Sequence, residues 1–299
     1  MVDVPENFQM DPQQISQMQK SANPLMQYMR QPAIYLKLPS DGKFYPPGSL
    51  DMPKNREIPI LPMSTKDEIA VNTPDALMNG SAVADMINSC CPNIKDPWSV
   101  PSVDIDSVLI AIRIASYGEN MEYRSKCPKC SNEDNYEIDL RQFLDMPVDI
   151  SGFDNAIEYK GMKIKIQPNN FESINNQNLE TFEQQRLVSV MNNDKITEED
   201  RQERFQQIFR KMTEYTVKNV ANTIESITTP DGNTVTNREH INQFVAEGER
   251  QFYEAVRNAI EQAVKGVPEK TVTSTCSECS HKYEIPFTFD QANFFVSAS

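Results

Sequence analysis

Cationic charge, glycine, histidine and long apolar runs are all scarce in this chain, and each shortage removes a class of function. Its 299 residues carry 29 Lys and Arg against 43 Asp and Glu, for a formal net charge of −14 and a pI near 4.7. A general grip on phosphate backbones needs clustered cations that release counterions, so the charge argues against nucleic acid as a partner. No apolar run approaches the ~20 residues that a bilayer-spanning helix needs. The opening Met1-Val-Asp-Val-Pro-Glu6 has neither the basic nor the apolar region of a signal peptide, and the expectation is a chain that is cytosolic at synthesis. Nine glycines leave little for ligand-cradling loops, and neither G-x-x-x-x-G-K-[ST] nor G-x-G-x-x-G after a strand occurs. H-E-x-x-H and G-x-S-x-G are also missing. The two histidines, His240 and His281, read as a helix-start residue and a neighbour of a cysteine pair. Carboxylates are plentiful but nothing singles out a pair, so no enzymatic activity is expected. An apolar fraction of 38% and a mean hydropathy of −0.57 assign a sizeable part of the chain to surface or tail.

What the chain does have is cysteine in a pattern. Cys127-Pro-Lys-Cys130 and Cys276-Ser-Glu-Cys279 share one spacing, each with a serine two residues before its first cysteine and a Tyr-Glu-Ile run after its second. A C-x-x-C turn puts two sulfurs on one side of a tight loop, so two such knuckles can close a tetrahedral four-thiolate zinc site. With all four corners filled by protein, no position remains for an activated water, and the expected zinc is structural rather than catalytic. Joining pairs separated by roughly 145 residues costs about 4–5 kcal/mol in chain entropy, whereas a structural zinc returns about 10–16 kcal/mol. Two disulfides, or four reduced thiols without metal, remain open at this level. A redox C-x-x-C fits less well, because it would open a helix in a βαβ unit and these pairs lie between strand-like runs. Cys90 and Cys91 read as buried helix residues.

The order of textures along the chain predicts an α+β fold: a zinc-ribbon-like four-cysteine module built from two distant knuckles, with a mainly helical insert and an extended N-terminal arm. Residues 1–31, rich in Gln and Met, form the flexible arm. Residues 32–64 alternate short apolar runs with Pro and Gly turns, giving an extended or hairpin segment of edge strands. Residues 65–145 hold a helical core and the first knuckle, with a short helix over Ala76–Gly80 begun at Thr73-Pro74-Asp75, a helix opened by Ser81, and an apolar helix over Asp104–Gly118 central to a core. Residues 146–268 form the insert. Met162–Ile166 alternates as a strand, Thr197 caps a helix with Phe205, Ile208, Phe209, Met212, Thr216 and Val220 on one stripe, and Pro230-Asp-Gly232 turns a hairpin. Thr236 and Glu239 are spaced as a capping box. Residues 269–299 hold the second knuckle and an aromatic tail of Phe287, Phe289, Phe294 and Phe295, which must pack on the ribbon or on a partner.

Several segments then acquire a common meaning: Tyr35-Leu-Lys-Leu-Pro39-Ser-Asp-Gly-Lys-Phe-Tyr-Pro46, Pro74-Asp-Ala-Leu-Met-Asn-Gly-Ser81, the run into Cys91-Pro-Asn-Ile94, the apolar helix ending at Tyr117-Gly118, and Cys127-Pro-Lys-Cys130 leading to Ile138-Asp-Leu140. Together they resemble the baseplate hub subunit family of T4-like contractile-tailed bacteriophages, clearly over roughly residues 32–145 and more diffusely to the second knuckle. The resemblance implies a structural protein at the host-facing centre of the virion tail baseplate, assembled in the host cytoplasm. Its partners would be other tail and baseplate proteins, with copies of itself also allowed, and the family supplies no catalytic residues. Two rival readings stay open: an assembly chaperone that leaves the finished hub, and a zinc-ribbon regulator that binds nucleic acid.

Overall fold

The structure, a computed structural model, describes residues 25, 28–73, 80–191, 197–287 and 294–295. The short helix expected over Ala76–Gly80 falls on residues 74–79, outside these, as do most of the arm and Phe289. The chain divides into an N-terminal unit, Met1–Gln31, and a body, Pro32–Ser299. In the former, Tyr28 N–H donates to the Leu25 carbonyl at 2.9 Å.

The body opens with two three-residue strands, β1 (Ile34–Leu36) and β2 (Ile58–Ile60), paired antiparallel with Tyr35 opposite Pro59. Pairing with a single neighbour is the setting in which a strand proline is tolerated. Helix α1 (Thr65–Val71) starts in a reciprocal capping box: Ser64 Oγ accepts from Asp67 N–H, and Asp67 accepts from Ser64 N–H. Ser89 Oγ donates to the same carboxylate at 2.9 Å and ties α1 to α2 (Ser81–Cys90). Ser81 does not cap α2. That position belongs to Gly80, whose φ of 72° is left-handed and where an added Cβ would strike the Asn175 side chain.

Helix α3 (Ser102–Tyr117) is buried around nearly its whole circumference, as its continuous apolar text requires. It anchors a first core with Leu36, Ile60, Met86, Ile87, Leu140 and Phe171, to which the short helix α4 (Arg141–Leu144) adds Phe143. Trp98 stacks on Phe171 at 5.2 Å, and the aromatic tail closes the same core, with Phe287, Phe294 and Phe295 all buried. Arg113 is buried in α3, with no ion pair to a carboxylate among the described residues. Its Nη1 donates to the Phe294 carbonyl at 2.8 Å and its guanidinium lies over the Phe294 ring.

A second core forms under a four-stranded antiparallel sheet in the order β5 (Ala156–Tyr159), β6 (Met162–Ile166), β7 (Ile224–Thr228), β8 (Thr234–Val235). Lys160 and Gly161, both at positive φ (47° and 76°), form the two-residue turn that joins β5 to β6. Ile164, Ile166, Ile224 and Ile227 pack with Phe153, Phe252 and Val256. Between the neighbouring strands β6 and β7 the chain makes a helical hairpin, α5 (Phe171–Met191) and α6 (Glu198–Asn222). Thr197 caps α6 as expected, accepting from Asp200 N–H. The stripe read for α6 is only half buried: Ile208 is covered, but Phe205 and Phe209 are 42% and 59% exposed and stack on one another. Helix α7 (Arg238–Ala246) is capped by Asn237, which accepts from His240 N–H, and not by Thr236. Helix α8 (Arg250–Ala263) completes this core through Phe252, Val256 and Ala263.

Candidate metal centre

Two further hairpins carry the cysteines. Strands β3 (Asn120–Lys126) and β4 (Glu133–Asp139) close through Cys127–Cys130, and β9 (Thr271–Thr275) and β10 (Lys282–Pro286) close through Cys276–Cys279. The two turns share one hydrogen-bond pattern. Cys127 N–H donates to Asn132 O (2.8 Å) and Ser131 N–H to Cys127 O (2.9 Å); Cys276 N–H donates to His281 O (3.0 Å) and Ser280 N–H to Cys276 O (3.0 Å). Ser131 and Ser280 both take a left-handed φ, 64° and 54°, which reverses the chain behind each sulfur pair.

These loops bring all four sulfurs to within 4.8 Å of one another. Cys127 Sγ lies 3.7 Å from Cys279 Sγ, and Cys130 Sγ lies 3.5 Å from Cys276 Sγ. A tetrahedron with metal–sulfur bonds of ~2.3 Å has edges of ~3.8 Å, so the cluster has the size of a four-thiolate metal site. It is not a pair of disulfides, which would need sulfurs ~2.0 Å apart; all four cysteines are free thiols. Cys127 and Cys276 are buried while Cys130 is exposed, so the cluster sits at the protein surface with one sulfur of each knuckle turned inward.

Mutual hydrogen bonding sets the charge of the cluster. At Cys127, burial pushes the thiol up, but the backbone N–H groups of Cys130 and Lys129 and the thiols of Cys130 and Cys279 bring it down to about 7. At Cys130 the Asn132 backbone N–H favours the thiolate, yet the thiols of Cys279, Cys276 and Cys127, together with desolvation, raise it to about 12. One proton therefore leaves readily and another is held, the behaviour of adjacent thiols that compete for negative charge. A divalent cation removes that competition by neutralising the thiolates.

Sequence reasoning missed the clamp that joins the knuckles. Asp134 accepts from Ser277 N–H (3.1 Å), Ser277 Oγ (2.7 Å), Asn132 Nδ2 (2.9 Å) and Tyr136 Oη (3.2 Å). The Ser277 hydrogen bonds first, then those of Tyr136 and Asn132, hold its carboxyl below the usual range. Tyr136 Oη and Tyr283 Oη meet at 3.1 Å. These tyrosines are not equivalent in the two hairpins: Tyr136 follows Cys130 by six residues and Tyr283 follows Cys279 by four. Because the offset is even, both Tyr-Glu-Ile runs keep their isoleucine inward, and Ile138 and Ile285 are both buried. The His281 ring stacks on Tyr283, and among the described residues the group able to hold a metal ion is the four cysteines alone. Cys90 and Cys91 are buried at the end of α2, and His240 lies exposed on α7.

Fold and site define a mixed α/β protein whose distant segments meet at a four-cysteine cluster able to hold a metal ion. The chain belongs to the family of T4 bacteriophage base plate proteins, whose family model matches residues 31–296. Membership implies a structural role in the virion tail baseplate and contacts with other phage tail proteins. No curated protein and no solved structure matches it. No helix among the described residues is long and apolar enough to cross a membrane.

Proposed function

We propose that this protein is a structural, non-enzymatic component of the baseplate hub, which joins the assembling tail through protein–protein contacts and is stabilised by a structural zinc on Cys127, Cys130, Cys276 and Cys279. The family match carries the baseplate part of this reading. The four-thiol cluster of tetrahedral size carries the zinc. Bound there, zinc would supply charge neutralisation and cross-linking. The protein's own contribution is to preform both knuckles and to latch them through Asp134 and Ser277. Thiolate-only ligation favours zinc over harder cations.

Mass spectrometry of purified virions, paired with elemental analysis of the isolated chain, tests both parts. The expected result is the chain at stoichiometric copy in particles and one zinc per chain, lost in Cys279→Ser. Presence in infected cells but absence from finished particles would favour the assembly chaperone instead. A metal-free chain with unchanged melting in a chelator would remove the zinc.

A further inference from the structure

The helical hairpin of α5 and α6 reverses the usual patterning, in which apolar side chains face inward and charges outward. Between its helices lies charge: Glu183, only 7% exposed, pairs with Arg186 at 2.9 Å and with Lys211 of α6 at 3.3 Å. Its outer face carries rings. From Glu198 to Glu214 only Ile208 is buried, while Phe205 and Phe209 stack in the open, 6.3 Å apart and within 6° of parallel. The two rings share an open groove of about 380 Å³ with Gln206, Arg210, Thr213 and Glu214. Single exposed apolar side chains are ordinary on a protein surface, but a stacked pair lining a groove marks a face that another surface covers.

Charge selects the occupant. The net charge of −14 sets copies of this chain against one another in general. On α6 the signs balance, with five carboxylates and five cations between Glu198 and Lys218. They are also sorted: four carboxylates and two arginines precede Phe205, whereas three cations and one glutamate follow Phe209. A second α6 laid antiparallel across the rings therefore sets acidic against basic on both sides of them. We propose that the Phe205–Phe209 face of α6 is a two-fold interface between two copies of this chain. Glu203 and Arg210, both exposed, stand two turns apart on one face of the helix. With the axis midway between them, each Glu203 meets Arg210 of the second copy and the four rings meet at the centre, the self-complementarity that a two-fold contact requires. One helix from each copy is a small contact among specific interfaces, so the pair is weak.

Sedimentation equilibrium of the full chain, over a wide range of concentration and at low and high salt, tests this. A monomer–dimer equilibrium is expected, weakened by salt because exposed charges contribute to it. Phe205→Ser and Phe209→Ser should each lower the association constant at least tenfold, as befits aromatic side chains at the centre of an interface. Both rings are exposed, so these variants should melt as the wild type does. Glu203→Arg and Arg210→Glu should each weaken the dimer roughly tenfold by opposing like charges, and the double variant, which swaps the signs, should restore it. A monomer at every concentration would overturn the proposal, as would a dimer indifferent to Phe209→Ser or a double variant no tighter than either single one. Because the isolated chain is used, a negative result leaves the assembly role standing, and absence of the chain from virions leaves the interface standing.

Discussion

Asp104 is a carboxylate in a place that resists charge. It occupies the first turn of α3 and is fully buried, with Ser40 N–H (2.7 Å) and Ser40 Oγ (2.5 Å) donating to its two oxygens. Burial raises its pKa from 3.8 to about 6, outweighing the Ser40 hydrogen bonds that pull it down. The folded state therefore binds a proton that the unfolded chain has released between about pH 4 and pH 6. Stability contributed by this group is greatest near the acid end of that window and falls as pH rises through it. Asp104→Asn removes the slope. Urea unfolding at pH 4.5 and at pH 7 should show the wild type losing ground to the variant, by on the order of 2–3 kcal/mol over the full window. A difference independent of pH would mean that the site solvates the ionised carboxyl as well as water does. Ser40 is 64 positions away in the chain, so the pairing could not be read from either residue's neighbours.

At the scale of elements, one close junction joins the 3-10 turn Ser151–Asp154 to the end of α8. A Cβ on Gly152 would lie 2.6 Å from the Ala263 Cα, a backbone atom that cannot rotate away. Gly152→Ala should push the turn off α8 and cost about 1–3 kcal/mol, seen as a lower urea midpoint with an unchanged slope. A neutral effect would show that α8 docks loosely. Elements whose signals are local could be read in advance. Met162–Ile166 alternates and is a strand, Thr197 stands three residues before Asp200 and caps α6, and the apolar run of α3 is buried almost all round. Periodicity does not name the neighbour that covers a face, and so Phe205 and Phe209 proved exposed. At the cysteine cluster the spacing pointed to the four residues that come together. It could not expose the latch, because Asp134 and Ser277 are 143 positions apart and carry no motif.

At the scale of the whole molecule, the cluster and the two cores make a prediction about where the protein would come apart. Both cysteine hairpins lean on the first core: Met121, Ile138 and Phe287 belong to it, Val272 packs against it, and Phe143 stacks on Phe287 at 4.6 Å. The second core is built from β5–β8 and α8 and contains no residue of either hairpin. Were zinc withdrawn, the hairpins would keep their backbone ladders but lose the cross-link between them, leaving Asp134 and Asn132 with Ser277 and Tyr136 with Tyr283 as polar ties across the gap. Exposed ties of this kind contribute far less than the ~10–16 kcal/mol of a structural zinc. Hydrogen exchange after chelation should then show protection falling in β3, β4, β9 and β10 and along the last turns of α3, while β6, β7 and α8 retain theirs. Restoring zinc should recover the lost protection. Uniform loss across both cores would make the body one cooperative unit held by the metal, and no loss would mean that the apolar contacts of Ile138, Ile285 and Phe287 suffice to hold the hairpins without it.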